Sequence, residues 1–535
     1  MNDRKQKQTP DNGGLWGRHR ILILFLTAII VLAVIGHFMF RPDRNASLQI
    51  IYTGDLQGQA AYTPGTYAGY EKIAALAEKA SREGRQVLLL DVGNCLGGSE
   101  MAEIDDGHSM ISLMNAVGYD AMVPGPVDFI YGTATLSSLR AEAEFPFLAA
   151  NIKKPDGSNA FENYKILNID GVRIGIIGVT MGLSQTQAAR DSLTVKDPVE
   201  EVQEVIGQIN GKADAIIVLA YTGNEALTES LAEIAGVTLV IESGGSEAYA
   251  KTSGSGTLIT CAGKKGSLIG MADLNITRDG AAIENSFYHA ALYDQLTSDE
   301  KVAGVLETVN RDRASAEALQ AGTVSIPADK KTDEEMAVSI EETGIGNLTA
   351  DAMLDAASGD GAVIAWIRDR SIQGTLMTGT VTRGQIGALF DDNLYMVTCK
   401  MTGGEIRSAL EDSFENYPEA EDFLQVSGMT YTYDASTDIG SHLSDVMVGG
   451  HSLDDARTYI VAMTNSLADE LGYSSEAVGR VSTYRTLASV LSNYIQKQAS
   501  SDVTVSESEE SGESDTGTGE AAEETEETKR INIIE

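Results

Sequence analysis

Six histidines and three cysteines are all the imidazole and thiol that 535 residues offer. Cys95, Cys261 and Cys399 lie far apart in apolar or strand-like surroundings, with no CxxC pair and no Cys/His cluster. They read as buried small hydrophobes, so neither a disulfide framework nor a structural zinc site is expected. Positive charge is also scarce. With 39 Lys and Arg against 78 Asp and Glu, the net charge is −39, which argues against nucleic acid or an anionic lipid surface as a partner of the folded part. Long apolar runs are absent but for one.

That run is "ILILFLTAIIVLAVIGHFMF", residues 21–40, which carries no formal charge and is long enough to cross a hydrocarbon core of about 30 Å as a helix. The following "HFMFRPDRNAS" offers no A-x-A-like cleavage site, so an uncleaved signal anchor is expected. Arg4, Lys5, Lys7, Arg18 and Arg20 precede the run, and only Arg41 and Arg44 follow it closely. The positive-inside bias then places residues 1–20 in the cytoplasm and everything after the span on the outer side of a single-pass cell-membrane protein.

The rest is too long for one core and calls for about two to four domains. Over 46–295 the runs "LQIIYT", "QVLLLD", "YDAMV", "RIGIIGV" and "AIIVLA" read as buried strands. They alternate with "YEKIAALAEKASREG" and "DPVEEVQEVIGQING", whose apolar residues recur at three- and four-residue spacing. Such alternation means an α/β domain. A charged helical stretch within 296–321 connects it to a second α/β region over 322–498, with helices near 347–357 and 404–415 and strands near 423–433, 444–449 and 457–463. Residues 499–535, rich in Ser, Glu, Thr and Gly, are expected to form a disordered acidic tail.

The stretches with chemistry stand at strand ends, where α/β sheets build sites: "YTGDLQG", "LLLDVGNCLGGS", "MVPGPVDFIYG", "VLAYTGN" and "VIESGGSEA". "DVGNCLGGS" has a phosphate-loop look but lacks the GKS/T ending. In the second region, "GIGNLTADAML" (344–354) and "FLQVSGMTYTYD" (423–434) carry a resemblance. With "YDAM", "DFIYG" and "AANI" they make residues 47–495 resemble the 5′-nucleotidase family. The resemblance implies a metallophosphoesterase-like (calcineurin-like) α/β sandwich holding two divalent metals, followed by a nucleotide-recognising α/β domain.

Carried over position by position, however, the resemblance finds most of the chemistry replaced. The D-x-H pair falls on Asp55 and Gln57, and the bridging aspartate of D-x-G-D falls on Asn94. In the G-N-H-E-F-D loop the asparagine ligand is Pro126, the catalytic histidine Val127 and the orienting aspartate Ile130. The later histidine positions are Tyr221, Gly244 and Ser246. Asp55 alone keeps a charged ligand, and one negative charge cannot offset two adjacent divalent cations. On the nucleotide side the phosphate-binding arginine falls on Gln373 and its asparagine on Arg368, with Arg370 nearby. The stacking phenylalanine falls on Asp391, while Asn393 and Tyr473 are kept.

Three readings follow. The first is a catalytically degenerate, membrane-anchored family member that binds a protein, glycan or nucleoside-like ligand and needs no cofactor. The second is a working phosphohydrolase on nucleotides, with Asp55, Gln57, Asn94, Asp91 and Asp128 around one Mg²⁺ or Mn²⁺, ions that suit oxygen ligands. The third is an envelope scaffold whose acidic tail reaches partners.

Overall fold

The computed structural model of the chain describes residues 46–509 except 170, 184–190, 246, 278–279, 325–341, 392–393, 415–422, 438–439 and 474–478, together with 530–534. The expected span 21–40 lies outside the described residues. Among those residues, no helix is long and apolar enough to cross a membrane.

The first domain is two stacked sheets between two helical layers. Strands β1 (Ala46–Thr53), β2 (Gln86–Asp91), β3 (Ala121–Met122), β4 (Tyr164–Ile169), β5 (Val172–Thr180), β6 (Ala215–Tyr221), β7 (Leu239–Ser243), β8 (Ala248–Thr252), β9 (Leu258–Ala262), β10 (Leu268–Thr277) and β11 (Gly280–His289) supply them. One sheet runs β11-β10-β1-β2-β3 and the other β8-β9-β7-β6-β5-β4. In both, the central strands are parallel; antiparallel strands close both edges of the second sheet and one edge of the first, whose other edge is the parallel strand β3.

The alternation of side chains along β1 explains the stacking. Leu48, Ile50 and Tyr52 join Ile174, Ile176, Ile217 and Leu219 of the other sheet, while Ile51 turns outward under the helices. Each such side chain, once fully buried, contributes about 1.5–3 kcal/mol before conformational entropy is set against it. Helices α1 (Gly69–Arg82), α2 (Glu100–Glu103) and α3 (His108–Val117) cover the first sheet, and α4 (Pro198–Ile209) covers the second through Val202, Val205 and Ile209. Asp197 caps α4 by accepting from Val199 N and Glu200 N, with Pro198 at the first helical position. The connecting helix, α5 (Glu300–Glu317), is no free strut: Val302, Leu306 and Val309 sit in the first domain's core.

In the second domain β12 (Ile364–Arg368) again has two faces. Ala365 and Ile367 pack with α6 (Gly344–Ala357) and with α8 (Leu487–Glu509), which follows a short α7 (Arg383–Gly387). Trp366 turns to the opposite core with Tyr431, Tyr433 and Val461. Further strands are β13 (Tyr395–Thr402), β14 (Leu424–Ser427), β15 (Met429–Asp434), β16 (Leu443–Val448), β17 (His451–Ser452), β18 (Thr458–Thr464), β19 (Arg480–Thr486) and β20 (Ile531–Ile534). They build one sheet in the order β14-β12-β18-β13-β19 and a second in the order β17-β16-β15-β20.

β20 corrects the expectation of a tail disordered through residue 535. Ile531–Ile534 pair in parallel with β15, and Ile531 is buried against the second-domain core. Arg530 pins the strand by a two-pronged contact to Asp351, 2.9 and 2.8 Å, and by donating to Val426 O at 2.9 Å. Such fork geometry is the strong form of an arginine–carboxylate pair. The three cysteines are free and buried, as expected.

Candidate functional site

The loops that follow β1, β2 and β3 meet at the strand ends of the first sheet. Their backbones interlock: Asp55 N donates to Gly93 O at 2.8 Å and Gln57 N to Asn94 O at 2.7 Å. Asp55, Gln57 and Asn94 have φ of 53°, 50° and 57°, a left-handed conformation that non-glycine residues avoid. Strain of this kind collects where a surrounding structure has been shaped around a site. Gly125 completes the fit, because a Cβ there would stand 2.5 Å from Asn94 Oδ1.

Asn94 organises the centre. Val127 N donates to its Oδ1 at 2.8 Å, which fixes the amide so that Nδ2 faces Asp55 Oδ1 at 2.9 Å and also donates to Tyr221 Oη. Gln57 Nε2 donates to the same Asp55 oxygen at 3.2 Å. Asp55, Gln57, Asn94 and Tyr221 are thus brought together, but as a closed hydrogen-bond set in which N–H groups point at the carboxylate. Burial holds the Asp55 carboxyl above the ordinary range, and the two amides and Lys264 and Lys265 oppose that shift.

Asp91 and Asp128 do something else. Asp128 accepts four backbone N–H groups: Gly125 at 2.8 Å, Asn94 at 2.9 Å, Cys95 at 3.0 Å and Leu96 at 2.8 Å. It ties the turn Pro126–Phe129 to the loop after β2, and burial, partly offset by these donors, brings its carboxyl up to about 6. Asp91 accepts from Thr53 Oγ1 at 2.7 Å and Gly93 N at 2.8 Å, and its carboxyl is pushed up to about 7 by burial, with the Asp128 charge adding to it. Their lone pairs are turned to loop donors rather than to a site shared with Asp55.

These shifts carry a sign. Both folded values lie above the usual carboxylate value, so between pH 4 and 7 the folded state binds more protons than the unfolded one and stability falls as pH rises. Urea unfolding is expected to give a stability at pH 5.5 higher than at pH 8 by at least about 2 kcal/mol. Relief of self-repulsion from the net negative charge acts in the same direction. Asp91→Asn should therefore remove much of the difference and not all of it; an unchanged pH dependence in that variant would refute the assignment.

Two residues the sequence reading missed cover the cluster from the second domain. The rings of Tyr395 and Tyr484 stack with centroids 5.5 Å apart, and Tyr484 has a φ of 54°. Burial raises both phenols, and the Asp55 charge contributes to each, so the pair faces the Asp55 cluster. Nothing in "RVSTYRT" or "LYMVT" distinguishes these tyrosines from ordinary strand aromatics; only the closing of one domain on the other brings them here.

The second domain's own candidates are occupied with one another. Arg368 and Arg370 both pair with Glu470, the latter at 3.4 Å, and Gln373 Nε2 donates to Asp391 Oδ1 at 2.7 Å. Tyr473 is buried in the core beside β13, and its phenol is pushed up to about 12 by burial and the nearby Glu405. Asn393 and Ser246 lie outside the described residues.

The sequence model described as "5'-nucleotidase, C-terminal domain" matches residues 320–473. Residues 320–473 therefore carry a domain of the 5′-nucleotidase C-terminal type, and the chain is similar to 5′-nucleotidases over most of its length. The snake venom 5′-nucleotidase of Crotalus adamanteus is 24% identical over 453 residues, 75% of this chain and 76% of that one. The trifunctional nucleotide phosphoesterase protein YfkN of Bacillus subtilis is 25% identical over 442 residues, 72% of this chain but only 30% of its own length. The solved NAD nucleotidase of Haemophilus influenzae superposes with a TM-score of 0.71 at 15% identity, covering 85% of this chain and 97% of that one, so the two-domain fold is shared across both domains.

The 5′-nucleotidase family is one of metal-dependent phosphoesterases. The residues present here do not fit a two-metal centre. An N–H of Asn94 occupies the face of Asp55 that a cation would need, Tyr221 offers a neutral phenol, and Val127 and Gly244 have no donor side chain. Among the described residues no group of three or more His, Cys, Asp or Glu is arranged to hold a metal ion.

Proposed function

We propose that this 5′-nucleotidase-family protein has lost phosphoester hydrolysis and acts as a binding or scaffold protein, held at the outer face of a membrane by residues 21–40. Its partner is a protein, a glycan or a nucleoside-like ligand. The observation that carries the reading is the orientation of Asn94, locked by Val127 N so that its amide N–H groups meet Asp55 and Tyr221. A centre of this kind presents donors where a hydrolase must present acceptors to cations and a bound water. The pairing of Arg368 and Arg370 with Glu470 supports it from the second domain, since a carboxylate already stands between these cations and would compete with any phosphate.

The alternative of a single-metal phosphohydrolase draws no support from Asp91 and Asp128, whose oxygens serve backbone and hydroxyl donors. Full-length protein in detergent, assayed with AMP and with a nucleotide sugar in the presence of Mg²⁺ or Mn²⁺, is expected to release phosphate no faster than buffer. Turnover in the ordinary enzyme range, about 1–1000 per second, would refute the proposal. The anchor is tested separately: deleting residues 1–44 should move the protein from the membrane to the soluble fraction.

A further inference from the structure

Strand β20 is reached only after residues 510–529, a stretch of Ser, Gly, Glu, Thr and Ala with no aromatic and no aliphatic side chain larger than alanine. Ile531–Ile534 then add in parallel to the edge of β15. The contacts there are dense for so short a segment. Glu342 Oε2 accepts from Arg530 N at 2.9 Å and from Ile531 N at 3.1 Å, Tyr431 N donates to Arg530 O at 3.0 Å, and Ala435 N donates to Ile534 O at 2.9 Å. With both oxygens of Asp351 and Val426 O on its guanidinium, Arg530 is recognised through its main chain and its side chain together. The side chains that follow alternate. Ile531 is buried and Ile533 half-buried against the second-domain core, while Asn532 and Ile534 are exposed.

The groups that hold the segment have support of their own. Glu342 Oε1 accepts from Asn347 Nδ2 at 2.7 Å, and Asp351 Oδ1 accepts from Ser427 Oγ at 2.6 Å, so α6 and β14 fix both carboxylates without help from the segment they bind. β15 is paired along its other edge with β16, and Tyr431 and Tyr433 are anchored in the core. The receiving surface is therefore preformed: a strand edge, two oriented carboxylates and an apolar slot. That is the set by which strand addition recognises an extended peptide, main-chain bonds giving affinity and pockets for alternate side chains giving specificity.

We propose that the edge of β15 opposite β16 is a peptide-binding groove for an extended Arg-Ile-x-Ile segment, and that residues 530–534 fill it as a detachable strap and not as an integral strand of the domain. The guanidinium fork on Asp351 sets the register, since a slip by one residue would turn Ile531 out to solvent. A connection of this length keeps the segment at an effective concentration on the order of millimolar, so micromolar affinity is enough to hold it. The groove stands whether or not the Asp55 cluster has any activity.

Fluorescence anisotropy of the full-length protein in detergent tests this with a labelled peptide of residues 528–535. Arg530→Ala and Ile531→Ser together empty the groove, so this variant is expected to bind the peptide at least about tenfold more tightly than wild type, in which the tethered segment competes. Adding Asp351→Ala to that variant, or replacing the arginine of the peptide by alanine, should weaken binding about tenfold or more at unchanged circular dichroism. Equal binding by wild type and the emptied variant would place the peptide elsewhere and overturn the proposal. Absence of binding by the folded emptied variant up to about 1 mM would overturn it as well, as would full-strength binding by the alanine peptide. Loss of the native circular dichroism in the emptied variant would make the segment an integral strand and contradict a strap.

Discussion

Asp128→Ala is expected to cost the first domain about 3–5 kcal/mol, read as a shift of the urea unfolding midpoint. The carboxylate is about 1% exposed and accepts four backbone N–H groups from two loops, so alanine leaves four donors buried without partners. A buried donor left unmade costs about 1–3 kcal/mol, and partial collapse or entry of water keeps the sum below the simple total. Asp128→Asn should cost less, about 2 kcal/mol, because one oxygen still serves two donors while the amide N–H₂ is set against the others. A loss below about 0.5 kcal/mol for alanine would mean that this carboxylate is not the tie between the loops.

Asn94→Asp reverses the substitution that separates this chain from the pattern it resembles, and it should be harmful. The change places a second carboxylate 2.9 Å from Asp55 Oδ1, where an N–H now donates, in a site that burial already makes unfavourable for charge. The expected loss is about 2–4 kcal/mol at pH 8, shrinking toward pH 5 as the pair takes up a shared proton. Millimolar Mn²⁺ should leave the loss in place, since Gln57, Val127, Tyr221 and Gly244 still supply no imidazole. Recovery of wild-type stability with Mn²⁺ would reveal a latent metal centre one substitution away.

Much of this fold could be read from residue order. The β-branched and aliphatic runs became the paired strands, and "DPVEEVQEVIGQI" became a capped helix because Asp197 and Pro198 mark its start. The loops of the site were also legible, because Gly93 and Gly125 are positions where a side chain would strike the facing backbone. What escaped were features that depend on sequence-distant contact. Tyr395 and Tyr484 gain meaning only when the domains close. "RINII" follows a long acidic stretch and has no strand neighbour nearby; it becomes a strand because β15 offers an edge and Asp351 a partner for Arg530. Arg370 reads in sequence as a stand-in for the phosphate-binding arginine, and its sharing of Glu470 with Arg368 is visible only in space.

On the proposed reading, the shape of the site has outlived its donor set. Three left-handed residues, the interlocked loops and Gly125 stand together, while the positions where the resemblance expects side chains that meet cations hold an amide, a valine, a phenol and a glycine. The most direct measurement is the metal content of the full-length protein, dialysed against Mn²⁺ and then freed of excess, taken alongside AMP hydrolysis on the same sample. Well under one ion per chain and no phosphate release is the predicted result. Two ions per chain, with turnover that disappears in Asp55→Ala, would contradict it.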